Sequence, residues 1–215
     1  MLTWTSDCLV FDIDFKTRIQ DQGDIKTPSP FEKMHISKMK DNVVEIDYTW
    51  LDSIKVNDKI FRKEQKRING WIFMEEKTMF IFSNSESSVT YFISRLTEIF
   101  QFKIKKIPLF SKWRKFLLKK DILKRFKIIN VHIVKEATAF DQNDIRKVAI
   151  KTLDDLQIKR MISNDLITNL TFETEEKKVF FIDKDSAISF PDTLKEADIF
   201  DCLSLIVKEL IDIND

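Results

Sequence analysis

The chain has 215 residues but only two glycines, Gly23 and Gly70, and this scarcity excludes the commonest phosphate-binding motifs. Loops that cradle a phosphate bring backbone amides close to it, and such tight turns usually need several glycines. Neither a P-loop nor a dinucleotide-binding fingerprint can be written anywhere in the sequence. We therefore do not expect nucleotide chemistry that depends on these loops.

Cysteines, histidines and long apolar runs are also scarce. Cys8 and Cys202 match no paired spacing, so we expect neither disulfides nor a zinc module. Free cysteines are typical of a reducing compartment, so we expect a cytoplasmic location. His35 and His132 have no second ligand or nucleophile at a useful spacing. The N-terminus shows no signal-peptide pattern, and no apolar stretch approaches the ~18 residues of a membrane span. We expect no metal site, cofactor or membrane span.

The composition is that of an ordinary folded protein, because 43% of the residues are hydrophobic and 33% are charged. The pattern of elements predicts an α+β fold, in which antiparallel sheet carries helices packed on one face. We expect a single domain over 1–215. An alternative division gives two halves, 1–110 and 128–215, joined by a basic segment, 103–127.

Hydrophobic periodicity predicts the individual elements. Alternating residues predict strands at 9–15, 43–50, 102–107, 129–134 and 187–190, and hairpins at 68–83 and 170–182. Residues 19–42 are expected to form a loop, and Asn57–Asp58 a turn. Helices are predicted after a capping box formed by Ser83 and Glu86, over 145–156 behind Asp141, and from Pro191 or Asp192 onward. A hairpin over 148–162 is the alternative to the second helix.

The two predicted hairpins resemble each other. The sequence FMEEKTMFIF at 73–82 aligns with FETEEKKVFFI at 172–182 after one insertion, and an amphipathic helix is expected after each. An internal ββα duplication would explain this similarity. Amphipathic hairpins with charged turns also resemble one another without common origin, so both explanations stay open.

The most informative feature is a basic segment, defined as residues 103–127. It contains eleven lysines or arginines and one acid, Asp121, which gives a local charge of +10. The residues before the segment carry a net charge of −2 and those after it a net charge of −7. The overall charge of +1 therefore conceals a strong separation of charge along the sequence. The segment also contains or adjoins five aromatic residues: Phe102, Phe110, Trp113, Phe116 and Phe126.

Basic and aromatic residues together favour nucleic acid as the partner. Lysine and arginine neutralise phosphates, and exposed aromatic rings stack on unpaired bases. We expect Trp113 to stack, and the following residues to contact phosphates: Lys112, Arg114, Lys115, Lys119, Lys120, Lys124 and Arg125. An anionic membrane would favour the same residue types, but the segment has no clean apolar stripe. The remaining alternatives are an acidic protein partner and a solvated surface whose charges meet the acidic remainder of the fold.

The acidic residues suggest a weaker, enzymatic alternative. Asp12 and Asp14 point to the same face of the first strand, and such a pair could hold Mg²⁺, but the solvent-facing side of an alternating strand is the favoured explanation. Glu-x-Lys triplets begin at Glu64, Glu75 and Glu175, and restriction-type nucleases use such a triplet with an upstream aspartate. The last two triplets fall in predicted turns. For the first, Asp47 or Asp58 would be the aspartate.

The sequence as a whole predicts a non-enzymatic nucleic-acid-binding or assembly subunit that engages its partner through the basic segment. The alternatives are an adaptor that docks an acidic protein and, less favoured, a metal-dependent nuclease. Oligomerisation is left open.

Overall fold

A computed structural model describes residues 7–14, 23–40, 42–56, 59–83, 85–118, 123–134 and 145–214. The chain divides into two compact units, unit 1 at Met1–Lys106 and unit 2 at Ile107–Asp215. The division falls inside the basic segment, which therefore contributes residues to both units. Antiparallel strand pairs dominate and four helices accompany them among the described residues, so the fold is roughly α+β.

Unit 1 is a meander of antiparallel strands with one long helix. Its elements are β1 (Cys8–Asp14), β2 (Gly23–Ile25), β3 (Glu32–Lys40), β4 (Val43–Val56), β5 (Lys59–Phe73), β6 (Thr78–Phe82), α1 (Glu86–Phe100) and β7 (Lys103–Lys106). The strands are ordered β2-β3-β4-β5-β6-β1, and β7 pairs with β1. The hairpin of β4 and β5 is the longest pairing in this unit.

Helix α1 packs against one face of the unit 1 sheet. Alternate residues of each strand point to that face, and the buried ones among them are apolar. Val89, Phe92 and Leu96 of the helix pack there. Gly70 lets Phe92 approach the sheet, since a Cβ atom at position 70 would lie 3.0 Å from the Phe92 ring. The N-cap is Ser85, whose hydroxyl accepts from the Ser88 N–H.

Unit 2 combines five strands with three shorter or terminal helices. Its elements are α2 (Leu109–Arg114), a 3₁₀ turn (Lys115–Leu118), β8 (Phe126–Val134), β9 (Ile145–Ala149), a second 3₁₀ turn (Ile150–Thr152), α3 (Asp155–Ser163), β10 (Ile167–Thr174), β11 (Val179–Asp183), β12 (Ala187–Ser189) and α4 (Glu196–Asn214). The strands are ordered β12-β11-β10-β8-β9, and each neighbouring pair in this order is antiparallel. Stacked and edge-on rings of Trp113, Phe126, Phe172 and Phe180 fill the core.

Several tight turns place non-glycine residues at positive φ. Lys77 (φ 51°) and Lys177 (φ 66°) occupy the same place in the two Glu-Glu-Lys turns. Asp165 (φ 52°) follows α3 and closes it, because the Leu166 N–H donates to the Met161 carbonyl and the Asp165 N–H to that of Ile162. The left-handed conformation disfavours residues that carry a Cβ atom, so these positions store strain.

Most of the predicted strands are confirmed, and the final helix, expected from Pro191 or Asp192, is present but begins at Glu196. Three other local predictions are wrong. Residues 19–42 contain strands β2 and β3 where a loop was expected. The cap of α1 is Ser85, two residues after Ser83. The helix expected over 145–156 is replaced by β9, a 3₁₀ turn and the start of α3, which begins after a capping box between Asp154 and Gln157. The predicted turn at Asn57–Asp58, Asp121 and Asp141 lie outside the described residues.

Candidate functional site

The described residues of the basic segment belong to two different units. Its first part is β7 in unit 1, which lies beside β1, with Lys105 in register with Asp12 and Lys103 in register with Asp14. Cross-strand partners share a face of the sheet, so these two lysines stand next to the two aspartates. This arrangement accounts for the two aspartates without a metal, while both lysines remain exposed.

Two arginines of the segment are held by acids of the same unit. Arg125 Nη1 lies 3.2 Å from Oε2 of Glu209, whose side chain is only 1% exposed. The Lys124 N–H donates to the other oxygen of Glu209 at 3.1 Å. Arg114 forms an ion pair with Asp165, directly after α3. These arginines therefore position the segment on the fold, and their charges are already balanced.

The role predicted for Trp113 needs correction. Its side chain has no exposed surface and packs against Phe126 and Phe172 at ring-centroid distances of 5.6 and 5.1 Å. An indole without exposed surface cannot stack on a base. The apolar spacing of Leu109, Phe110 and Trp113 on α2 is a core pattern, and all three are buried.

In the described part of the segment within unit 2, Lys115 on the 3₁₀ turn and Lys127 on β8 are exposed cations. Lys112 is half-buried, and both Lys112 and Lys124 make further interactions within the protein. Lys119 and Lys120 lie outside the described residues. The structure thus describes five of the seven predicted phosphate-binding residues, and two of those five, the arginines, are ion-paired within unit 2.

Helix α3 adds cations that the sequence did not assign to this region. It packs against the 3₁₀ turn that carries Lys115, and it exposes Lys159 and Arg160. Leu156 is 77% exposed, although the predicted helix placed it on the buried face. The Asp154–Gln157 capping box is the sequence signal that would have shifted the predicted helix to its true start.

A shallow cleft of about 300 Å³ lies between α1 and the β4–β5 hairpin in unit 1. Lys66 Nζ is 2.8 Å from Asp52 Oδ2 in its lining, and Glu64 is in register with Asp52 on the neighbouring strand. The Glu-x-Lys triplet at 64–66 therefore has an aspartate beside it, but it is Asp52. Of the predicted candidates, Asp47 pairs with Arg67, and Asp58 lies outside the described residues.

Behind Tyr91, which lines this cleft, lies a buried polar cluster. The Tyr91 hydroxyl donates to Oε1 of Glu32 at 2.7 Å, and Arg95 Nη2 is 3.0 Å from the same oxygen. Within the described residues nothing hydrogen-bonds Glu32 Oε2 or the Tyr48 hydroxyl. Burial and the neighbouring Glu32 carboxylate raise the pKa of Tyr48.

The remaining reactive side chains are poorly placed for catalysis. Both cysteines are free and buried, and burial raises the pKa of each thiol, to about 11 for Cys202. Burial and then Lys147 lower the pKa of His132, while the exposed His35 bonds Asp24 at 2.9 Å. Among the described residues, no group of three or more His, Cys, Asp or Glu side chains is placed to hold a metal ion.

Two comparisons bear on identity. No family model matches this chain, and no curated protein matches it significantly. No helix within the described ranges is long and apolar enough to cross a membrane. The function must therefore be argued from the surfaces described above.

Proposed function

We propose that this protein is a non-enzymatic assembly subunit that docks an acidic protein partner through exposed cations of the basic segment in unit 2. The observation that carries the proposal is that some residues of the segment are buried or ion-paired within the fold, whereas others are exposed. Trp113, Arg114 and Arg125 serve the fold, whereas Lys115 is exposed to solvent. Exposed lysines can pair with the carboxylates of a protein partner. Without an exposed aromatic ring beside them, they gain nothing from stacking on nucleic-acid bases.

Nucleic acid stays the alternative partner, because phosphates would also bind the exposed lysines. The sequence argument for it needed Trp113 as an exposed stacking ring. With that ring in the core, the remaining support is charge alone.

Binding of defined polyanions by the full chain separates these partners. Fluorescence anisotropy would measure a labelled twelve-residue polyglutamate peptide against single-stranded DNA and RNA of equal charge, at several salt concentrations. We expect the peptide to bind and the Lys115→Glu/Lys119→Glu/Lys120→Glu variant to lose about tenfold in affinity or more. The matched control is Lys33→Glu/Lys38→Glu/Lys184→Glu, which reverses three exposed lysines elsewhere.

The outcomes are distinct. Tighter binding of DNA or RNA than of the peptide, lost in the same variant, would make nucleic acid the partner. Failure of every polyanion to bind at low salt would remove the proposal altogether, as would equal losses in the variant and its control.

A second candidate function, a metal-dependent nuclease, rests on one observation in unit 1. Asp52, Glu64 and Lys66 share a face of neighbouring strands beside the cleft. Two carboxylates could bind Mg²⁺ while the lysine orients a water. Cleavage of plasmid DNA with Mg²⁺ or Mn²⁺ should then disappear in Glu64→Gln and persist in the turn control Glu75→Gln. Absence of metal-dependent cleavage by the wild-type protein would dismiss this candidate.

The finer architecture also stays a proposal, namely helices on one face throughout and an internal ββα duplication. The matching left-handed lysines in the two Glu-Glu-Lys turns support the duplication. In unit 2, however, β12 lies between the hairpin and α4.

A further inference from the structure

The outer face of α3 joins an aliphatic side chain to two cations. Leu156 and Arg160 are four residues apart and Lys159 is three residues from Leu156, so the three side chains are neighbours on the helix surface. Ile158, on the opposite face, is buried. The helix is therefore anchored by one side and presents a mixed basic and apolar face on the other.

The 3₁₀ turn at Lys115–Leu118 brings one more exposed cation and one more exposed leucine close to α3. It packs against α3, Lys115 is exposed, and Leu118 is 37% exposed. Arg114, the last residue of α2 just before this turn, forms an ion pair with Asp165, just after α3. We name Lys115, Leu118, Leu156, Lys159 and Arg160 the α3 surface.

The charges of the α3 surface are offset only in part, since Asp155 lies one helical turn before Lys159. No ion pair joins Lys115, Lys159 or Arg160 to another described residue. The nearby Asp165 is occupied by Arg114, and the Asp154 carboxylate accepts the Gln157 N–H at the start of the helix. Three cations around two exposed leucines call for a partner that supplies both negative charge and aliphatic surface.

We propose that the α3 surface binds an acidic, amphipathic segment of a protein, in which carboxylates meet the three cations and an apolar side chain covers Leu156. This inference rests on the proposed function and names its docking surface and the chemistry of its ligand. Nucleic acid offers phosphates but no aliphatic side chain for Leu156. An anionic membrane is disfavoured, because interfacial helices bury a much larger apolar face than this nine-residue helix offers.

The test uses the full chain and four labelled probes. These are a peptide of four Glu-Glu-Leu repeats, a twelve-residue polyglutamate peptide, a single-stranded DNA oligonucleotide, and vesicles of phosphatidylserine and phosphatidylcholine. We expect the leucine-containing peptide to bind about tenfold more tightly than polyglutamate, as burial of one leucine predicts. Leu156→Gln should abolish that difference, and Lys159→Glu/Arg160→Glu should weaken both peptides. The matched controls are Leu51→Gln and Lys184→Glu, at exposed positions outside the surface.

Each result decides something. If the Lys115/Lys119/Lys120 variant loses peptide binding while the α3 variants bind like wild type, this inference fails and the proposed function stands. If wild type binds neither peptide, both fail. If DNA or the vesicles bind more tightly than the Glu-Glu-Leu peptide, and the α3 variants abolish that binding, the surface is real but the partner class is wrong. Circular dichroism would confirm that all variants are folded.

Discussion

Among the described residues each unit buries one glutamate, and the two carboxylates are used differently. Glu209 in unit 2 has both oxygens occupied, one by the Lys124 N–H and one by Arg125. Glu32 in unit 1 receives both Tyr91 and Arg95 on a single oxygen, while Oε2 has no partner in the described structure. One carboxylate is saturated, and the other is half used.

The number of hydrogen bonds made by a buried carboxylate indicates its role in the fold. Burying a carboxylate is costly unless its hydrogen bonds are made, so the saturated Glu209 is a structural anchor. The anchor holds the end of the basic segment that was predicted to bind phosphate. Glu32 ties the start of β3 to α1, yet it keeps unused accepting capacity beside the Tyr48 hydroxyl.

The largest expected effect comes from breaking the ion pair between Arg125 and Glu209. Arg125→Ala leaves the Glu209 charge buried without its cation, and loss of one partner of a buried pair costs about 3 kcal/mol or more. Urea denaturation at neutral pH would measure this as a lower midpoint with an unchanged slope. The control Lys115→Ala should stay within about 0.5 kcal/mol of wild type, because that side chain is exposed. Equal stability of the two variants would contradict a structural role for Arg125.

An isosteric pair of substitutions tests the comparison directly. In Glu209→Gln the new amide donor faces the Lys124 N–H or Arg125, which are themselves donors, and we expect a loss of about 2 kcal/mol. In Glu32→Gln the amide can replace Oε2 and donate to the Tyr48 hydroxyl, so the loss should stay below about 1 kcal/mol. Denaturation of both variants under one condition gives the difference. Similar losses would mean that the two carboxylates are equally saturated.

The smallest effect concerns the two Glu-Glu-Lys turns, one in each unit. Replacing Lys77 or Lys177 by glycine relieves the left-handed conformation and should stabilise the protein by about 0.5–1 kcal/mol. Lys184→Gly, at an exposed turn position without positive φ, should instead destabilise it slightly through chain entropy. Thermal unfolding would rank the three variants. A gain at only one of the two lysines would weaken the case for equivalent turns.

Local patterns predicted much of the fold because they depend on neighbouring residues. Alternation located β1, β8 and both hairpins, and helical spacing located α1. The strands β2 and β3 were missed because polar residues and prolines dominate 19–42, and β3 becomes a strand through its pairing with β2 and β4. Tertiary contacts decided that segment, and a single sequence does not display them.

The site was less predictable than the fold, because net charge does not reveal which charges are paired. Lys124 and Arg125 meet Glu209 across more than eighty residues of sequence. The burial of Trp113 likewise depends on Phe172, far along the chain. The basic segment identified a region of interest, but long-range contacts determine which of its residues are available to a partner.

Asp165 combines a left-handed backbone conformation with an ion pair to Arg114. Glycine would suit its left-handed backbone better, but glycine could not hold Arg114. A glycine here should give a chain that resists denaturant no less than before while α3 turns more freely against its neighbour. Thermodynamic stability and the rigidity of α3 would then change in opposite directions at one position.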